Sequence, residues 1–290
     1  MADAKDAARL DAVLGEAAAL MRGGGIADAA REARLLAAHF ARVSAAQVVA
    51  ASDRPIGREA HEAILTAARR RASGEPLHRI IGRRAFYGVE LDLTPATLEP
   101  RPDTEILVDR IIPHVRRIMA AEGSCKVLDL GTGTGAIALA LLAEVEGATA
   151  IGVDVVPEAV ETAAANARLN GLEERFRALQ SNWFSDVNEK FHVIVSNPPY
   201  ISAEEFEALP EDVRRYEPQT ALLGGADGLE AYRTIVKSAA GYLLEGGVLG
   251  VEIGHKQRES VSAIFAGHGF RVIEQACDLG GRDRVLVFDL

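Results

Sequence analysis

The stretch Val127-Leu128-Asp129-Leu130-Gly131-Thr132-Gly133-Thr134-Gly135 decides the fold. Its apolar opening reads as a strand. It closes on three alternate glycines and runs directly into a helical pattern over Ala136–Glu146. The glycines let the backbone pass close to a ligand at a helix N-terminus, where unpaired N–H groups converge. The next strand, Ala150 to Val153, ends at Asp154, nineteen residues after Gly135. A carboxylate there can accept both hydroxyls of a ribose. Dinucleotide enzymes and methyltransferases share this pairing, so on its own it does not separate them.

Outward from this unit the alternation continues. A helix is expected from Pro157 to Asn170, a strand from Phe176 to Leu179, and a strand from Val193 to Val195. Helix Asp227–Leu244, strand Val248–Glu252 and helix Gln257–Ala266 follow, and Arg271–Ala276 and Val285–Phe288 complete the sheet. Strands separated by helical crossovers predict an α/β fold, with a mainly parallel, Rossmann-like sheet over residues 98–290.

Residues 1–75 differ. Leu10, Val13, Leu14, Ala17, Leu20 and Met21 recur at helical spacing and stop at Gly23-Gly24-Gly25. Ala29, Ala33, Leu36 and Phe40 mark a second helix, and Ser44-Ala45-Ala46-Gln47 is a capping-box start for a third. Ala60, Ile64, Leu65 and Ala68 mark a fourth, ended by Gly74 and Pro76. No catalytic constellation is visible in this small bundle. In residues 76–97, Ile80-Ile81 and then Phe86 to Leu93 alternate with period two. With Gly82-Arg83-Arg84 as the turn, this reads as a β-hairpin joining two domains. Pro100-Arg101-Pro102-Asp103-Thr104-Glu105 then opens a helix, with Pro102 and the acids suited to its first turn. Nothing in the sequence gives Arg101 a partner.

The fourth strand of the sheet leads into Asn197-Pro198-Pro199-Tyr200. A strand's carboxyl end is where open α/β sheets build their sites. Proline has no N–H, so the loop presents acceptors and few donors. The Asn197 side-chain oxygen and the Pro198 carbonyl can converge on a planar NH2 group, which carries two donors. Tyr200 adds a flat face. The quartet reads as a clamp for an amide or an aromatic amine.

The 290 residues carry a formal net charge of −10 and are 48% hydrophobic. That length favours two domains, and the charge argues against a general nucleic-acid binder. The cysteines, Cys125 and Cys277, have no metal or redox spacing, which fits a reduced, cytoplasmic setting. The opening residues resemble neither a signal nor a transit peptide, and no aliphatic run is long enough for a membrane span.

Three features favour a methyl donor over a dinucleotide. The glycine loop lacks the dinucleotide spacing. Asp129 suits an ammonium better than a pyrophosphate. Trp183, after the third strand, stands where an adenine would lie beside Asp154. One half-site then suits S-adenosylmethionine and the other a planar NH2. A nucleic-acid amino-methyltransferase would flip a base onto Tyr200, but the acidic balance and the lack of a basic recognition domain count against it. A non-catalytic sensor would need no NH2 clamp, and an oxidoreductase would need a hydride-transfer partner.

The chain resembles the bacterial release factor glutamine methyltransferases, the HemK or PrmC family. The resemblance is carried by Phe86-Tyr87-Gly88, Pro95-Ala96-Thr97-Leu98, Pro100 to Glu105, Asp129 to Gly135, Asp154, Asn182-Trp183-Phe184, Asn197 to Tyr200 and Gly280 to Val285. It covers nearly the whole chain, and Asn182 departs from it, since the family has Asp before the Trp. The resemblance implies N5-methylation of the glutamine in the Gly-Gly-Gln motif of peptide chain release factors, which would be the partners. It implies S-adenosylmethionine held by Gly131, Thr132, Gly133, Thr134, Gly135, Asp154, Trp183 and Asn197, with S-adenosylhomocysteine as product. The substrate amide would be held by Asn197, Pro198, Pro199 and Tyr200, with Asn197, Pro198 and Tyr200 as the catalytic set and no metal. A sister group methylates a glutamine of a ribosomal protein and shares the quartet. Docking of the partner is the expected task of residues 1–75.

Overall fold

A computed structural model describes residues 8–50 and 53–290. The chain divides into two compact units between Gly82 and Arg83.

The first unit is helical, apart from a two-residue pairing of β1 (Ala8–Arg9) with β2 (Pro55–Ile56). Helices α1 (Leu10–Gly23), α2 (Ala29–Phe40), α3 (Ala45–Ala50), α4 (Arg58–Ala72) and α5 (Leu77–Ile81) build it. Leu10, Val13, Ala17 and Met21 of α1 face Leu36 of α2 and Ile64 and Ala68 of α4 in one core. The capping box at Ser44 forms as the sequence predicts: Gln47 N–H donates to Ser44 Oγ at 3.1 Å and Ser44 N–H to Gln47 Oε1 at 2.8 Å. At Gly24 any side chain is excluded, because a Cβ would stand 2.4 Å from the Ala72 carbonyl oxygen.

One expectation is corrected here. Leu77 to Ile81 is a helix, not the first strand of a hairpin. Leu77 and Ile80 are its buried residues, a three-residue helical spacing, and Gly82 at φ 74° caps it. The hairpin lies later, in the second unit, as β3 (Arg83–Phe86) and β4 (Val89–Asp92). Its turn is Tyr87-Gly88, both at positive φ (44° and 82°), the geometry a two-residue hairpin loop demands. The free edge of β4 meets α8 (Pro157–Leu169) and the residue following it. Asp92 N–H donates to Asn166 Oδ1 (2.8 Å) and Asn166 Nδ2 donates to the Asp92 carbonyl (3.1 Å). Asn170 repeats the pattern one helical turn on with Glu90, at 3.0 and 2.8 Å.

The second unit is built on a seven-stranded sheet of order β10-β11-β9-β8-β5-β6-β7. The strands are β5 (Lys126–Leu130), β6 (Thr149–Asp154), β7 (Phe176–Gln180), β8 (Phe191–Ser196), β9 (Leu243–Glu252), β10 (Arg271–Cys277) and β11 (Asp283–Asp289). Only β11 runs antiparallel to its neighbours. Val127, Val193 and Val195 face a core built with α6 (Glu105–Glu122), α7 (Ala136–Glu144) and α8. Leu128 and Ile194 face the opposite core, with α11 (Glu230–Tyr242) and α12 (Arg258–Ala266). Burial on both faces explains why these strands read as continuous apolar runs. Two short polar helices without an apolar stripe, α9 (Ala203–Glu207) and α10 (Glu211–Tyr216), follow the quartet. Among the described residues no helix is long and apolar enough to cross a membrane.

From β5 the chain crosses to β6 on one side and returns through β8 on the other. This is a topological switch point, where ligands bind outside the carboxyl ends of the strands. Helix α6 closes over β9 at Gly250, where a Cβ would stand 2.6 Å from Ile111 Cδ1 and 3.0 Å from Leu107 Cδ1. Overpacking of this kind typically costs about 1–3 kcal/mol. Gly250→Ala is therefore expected to lower the urea midpoint by that equivalent with an unchanged m-value. An unaltered midpoint would show that the contact is slack.

Candidate active site

A cavity of about 170 Å³ opens at the carboxyl ends of β5 and β6, with the Gly131–Thr134 loop, Asp154, Trp183 and Asn197 on its wall. Gly131, Gly133 and Gly135 have φ of 70°, 53° and 82°, so each uses the left-handed region that favours glycine. Asp154 shapes the loop. Its Oδ2 accepts from Gly133 N–H and its Oδ1 from Val156 N–H, both at 3.0 Å. Each oxygen keeps a lone pair, enough to receive a diol. Trp183 has φ 54°, rare for a bulky residue, and its carbonyl accepts from Ser181 Oγ at 2.9 Å. It lines the cavity beside Asn182 and also packs on the α11–α12 core.

Asp129 lies beneath the loop, 1% exposed. Its Oδ2 accepts from Thr132 Oγ1 (2.8 Å) and from Ala138 N–H (3.4 Å). Its Oδ1 is buried and has no hydrogen-bond partner among the described residues. Burial pushes the carboxyl up to about 7, against the pull of Thr132 and Ala138. A buried carboxylate with an unpartnered oxygen is costly, and a cation supplied by a ligand would relieve it. Thr132 reaches Asp129 because β6 carries Gly152 alongside, where a Cβ would stand 2.6 Å from Thr132 Oγ1.

A second cavity, of about 190 Å³, adjoins the first and includes Leu98, Arg101, Asn197, Tyr200, Ala221 and Glu252. Asn197 lines both. Its Nδ2 donates to Thr104 Oγ1 at 3.1 Å, and Thr104 Oγ1 donates to Glu252 Oε2 at 2.6 Å. The Asn197 Oδ1 makes no hydrogen bond with the described residues and is the acceptor this side chain has left. Tyr200 hydroxyl donates to Glu252 Oε1 at 3.3 Å. Pro198 is buried, and Pro199 lines the first cavity. Behind the quartet, Gln257 Nε2 donates to the Tyr200 carbonyl at 2.9 Å. Gly224 and Gly228 admit its backbone, since a Cβ would stand 2.5 Å from the Pro199 oxygen and 2.3 Å from the Tyr200 oxygen.

Of the residues singled out from the sequence, Gly131 to Thr134, Asp154, Trp183, Asn197, Pro199 and Tyr200 line two adjoining cavities, whereas Gly135 and Pro198 line neither. Others were missed. The Ala96–Leu98 strap with Pro100 walls the first cavity, and Thr220 and Ala221 complete it. Arg101 acquires a role: its Nη2 donates to Glu217 Oε1 at 2.8 Å, while Glu217 Oε2 accepts from Glu99 N–H at 3.1 Å. Glu217, 6% exposed, thereby fastens the strap to the segment after α10. Glu252 had a legible signal, as a carboxylate closing an otherwise apolar strand. Thr104 had none.

Comparison with known proteins agrees with both units. Residues 12–82 match the family PrmC N-terminal domain and residues 104–211 the family Methyltransferase small domain. A release factor glutamine methyltransferase of Agrobacterium fabrum is 48% identical over 268 residues, 92% of this chain and 93% of the relative. One of Rhodospirillum rubrum is 41% identical over 264 residues, 91% of this chain and 79% of the relative. Among solved structures, a methyltransferase of Pyrococcus furiosus shares the fold, with TM-score 0.51 and 21% identity over 70% of this chain and 90% of that one. Identity of this degree, sustained over nearly the whole length, means that the chain is a methyltransferase and belongs to the release factor glutamine methyltransferase family.

Proposed function

We propose that this chain transfers a methyl group from S-adenosylmethionine to the side-chain amide nitrogen (N5) of the glutamine in the Gly-Gly-Gln motif of a peptide chain release factor. The observation that carries the reading is the meeting of two cavities at Asn197, whose amide is turned with Nδ2 on Thr104. The names of the relatives supply the release factor. S-adenosylmethionine supplies an electrophilic methyl on a sulfonium. The residues fit it: the orphaned Asp129 Oδ1 suits its ammonium, Asp154 its ribose diol, and Trp183 its adenine, while the glycines of the loop, with Thr132 and Thr134, let it approach the backbone.

On the acceptor side, Asn197 Oδ1 and the Pro198 carbonyl take the two N–H bonds of the amide, and Pro199 and Tyr200 bound it. An amide nitrogen is a weak nucleophile because its lone pair is delocalised into the carbonyl. Two acceptors on its N–H groups return electron density to it, and the effect grows as the nitrogen pyramidalises, which is what stabilises a transition state. Alignment of nitrogen and methyl at near-attack distance accounts for roughly 7–11 kcal/mol of barrier lowering in favourable cases. The nitrogen becomes strongly acidic once it bonds the methyl, so water suffices to take its proton. The helical unit docks the release factor in this reading, and no direct contact with nucleic acid is called for.

The test supplies labelled S-adenosylmethionine with a release factor, the same factor lacking the glutamine, a ribosomal-protein pool and a nucleic-acid pool. Label is expected only in the unaltered release factor, and label in nucleic acid or ribosomal protein instead would refute the assignment. In the same assay Asn197→Ala is expected to lower kcat by about 10²–10³, the usual effect of removing one transition-state hydrogen bond, with a much smaller effect on cofactor affinity. A second measurement addresses Asp129. An ammonium favours the ionised carboxylate, which in the free protein forms only near pH 7. Cofactor affinity should therefore rise by up to about tenfold per unit between about pH 5.5 and pH 7, with proton release seen by calorimetry in paired buffers. Asp129→Asn should flatten that dependence; an identical slope in the variant would remove Asp129 from the role. Finally, residues 83–290 alone should show a raised KM for the release factor and an unchanged one for the cofactor. Equal changes would argue against docking by the helical unit.

A further inference from the structure

Glu252 ends β9 at 2% exposure and contributes to the wall of the acceptor cavity. Its two oxygens each receive one hydroxyl: Oε2 from Thr104 at 2.6 Å and Oε1 from Tyr200 at 3.3 Å. Its backbone carbonyl accepts from Tyr232 hydroxyl at 2.9 Å, which holds the strand end in place. The chain of donors from Glu252 to Asn197 has a direction. A threonine hydroxyl carries one proton. Spent on Glu252, it leaves Thr104 Oγ1 able only to accept, so Asn197 must present Nδ2 to it. The Asn197 Oδ1 is then the atom left for the acceptor.

The reverse chain is equally well formed. A protonated Glu252 can donate to Thr104, Thr104 can donate to Asn197 Oδ1, and Nδ2 then takes the place of Oδ1. An NH2 group would meet an NH2 group, and the clamp would repel its substrate. We propose that Glu252 is a positioning residue that acts through Thr104 to fix Asn197 as a hydrogen-bond acceptor, so that turnover requires the Glu252 carboxylate. The proposal rests on the reading of Asn197 Oδ1 as the receiver of the substrate amide.

The surroundings put this switch near neutrality. Burial raises the Glu252 carboxyl, to about 7; the Thr104 bond, the Arg284 guanidinium on β11 and Tyr200 oppose the rise, and Asp103 in the turn before α6 adds to it. Arg284 is itself paired with Asp103 at 3.0 Å and Asp278 at 3.2 Å, so its charge only partly compensates Glu252. Tyr232 on α11 stands at the same strand end, and Arg101, paired with Glu217, lines the same cavity.

Two readouts on the full chain test this. Selective labelling should show the Asn197 side-chain NH2 resonances and the Glu252 carboxyl titrating together in wild type, with the Asn197 response lost in Thr104→Val and kept in Thr104→Ser. With release factor and saturating S-adenosylmethionine, wild-type kcat should fall on acidification below about pH 7. Glu252→Gln should remove that acid limb. Thr104→Val should lower kcat about tenfold or more, and Thr104→Ser should restore most of it. Asn197 resonances indifferent to Glu252, an acid limb that persists in Glu252→Gln, or full turnover in Thr104→Val would each overturn the proposal. Linked titration in a protein that does not methylate a release factor would instead overturn the choice of acceptor and support the link between Glu252 and Asn197.

Discussion

The parallel pairing of β5 with β8, in register at Leu130 opposite Ser196, is the constraint on which the site depends. It brings the ends of two strands distant in sequence to one spacing, with Asp129 and the glycine loop on one and Asn197 on the other. Ser196 Oγ reinforces it by donating to the Leu130 carbonyl at 2.7 Å. Because β5 and β8 are buried on both faces, a slip of one residue would exchange the side chains facing the two cores. The two cavities are therefore held in place by the same apolar packing that stabilises the sheet.

Two carboxyls stand in this apolar frame, Asp129 under one cavity and Glu252 against the other, and burial raises both toward neutrality. They differ in what is missing. Asp129 has an oxygen with no partner among the described residues. Glu252 has a hydroxyl on each oxygen and exports its charge state through them. Deep burial makes Asp129 receptive to a charge from outside, and it makes the direction of hydrogen bonds around Glu252 depend on a single proton. Neither carboxyl favours the fold at higher pH: each holds its proton more tightly folded than unfolded, so between its ordinary value and about 7 stability declines as pH rises.

The sheet was legible because its signals are local. Glycines at alternate positions, apolar runs and an acid at the end of β6 each report their own element. The sequence places the hairpin one element early because the apolar pair Ile80-Ile81 precedes the true alternation of Val89, Leu91 and Leu93, while the helical contacts of Leu77 and Ile80 are invisible without the rest of their core. Helices α9 and α10 carry no apolar period and escaped notice. Arg101 had no partner in the sequence because Glu217 lies far along the chain, and Thr104 looked like part of a capped helix start because its two partners come from β9 and from the loop after β8. Loops and single strand-end residues can be assigned from sequence pattern, but a relay of three side chains from three elements requires their positions in space.

Asn166 and Asn170 have a consequence beyond holding the hairpin. Their amides present to β4 the N–H and C=O that another strand would bring, and so occupy an edge that would otherwise template pairing with a second chain. Asn166 also donates to the Thr134 carbonyl at 2.9 Å, which ties this edge to the glycine loop. An edge filled by a molecule's own side chains resists strand exchange, and here it adds to the charges that Glu90 and Asp92 already place on the edge. The protection lasts only while both amides stay intact, since hydrolysis of either to a carboxylate would set like acceptors against each other along the edge.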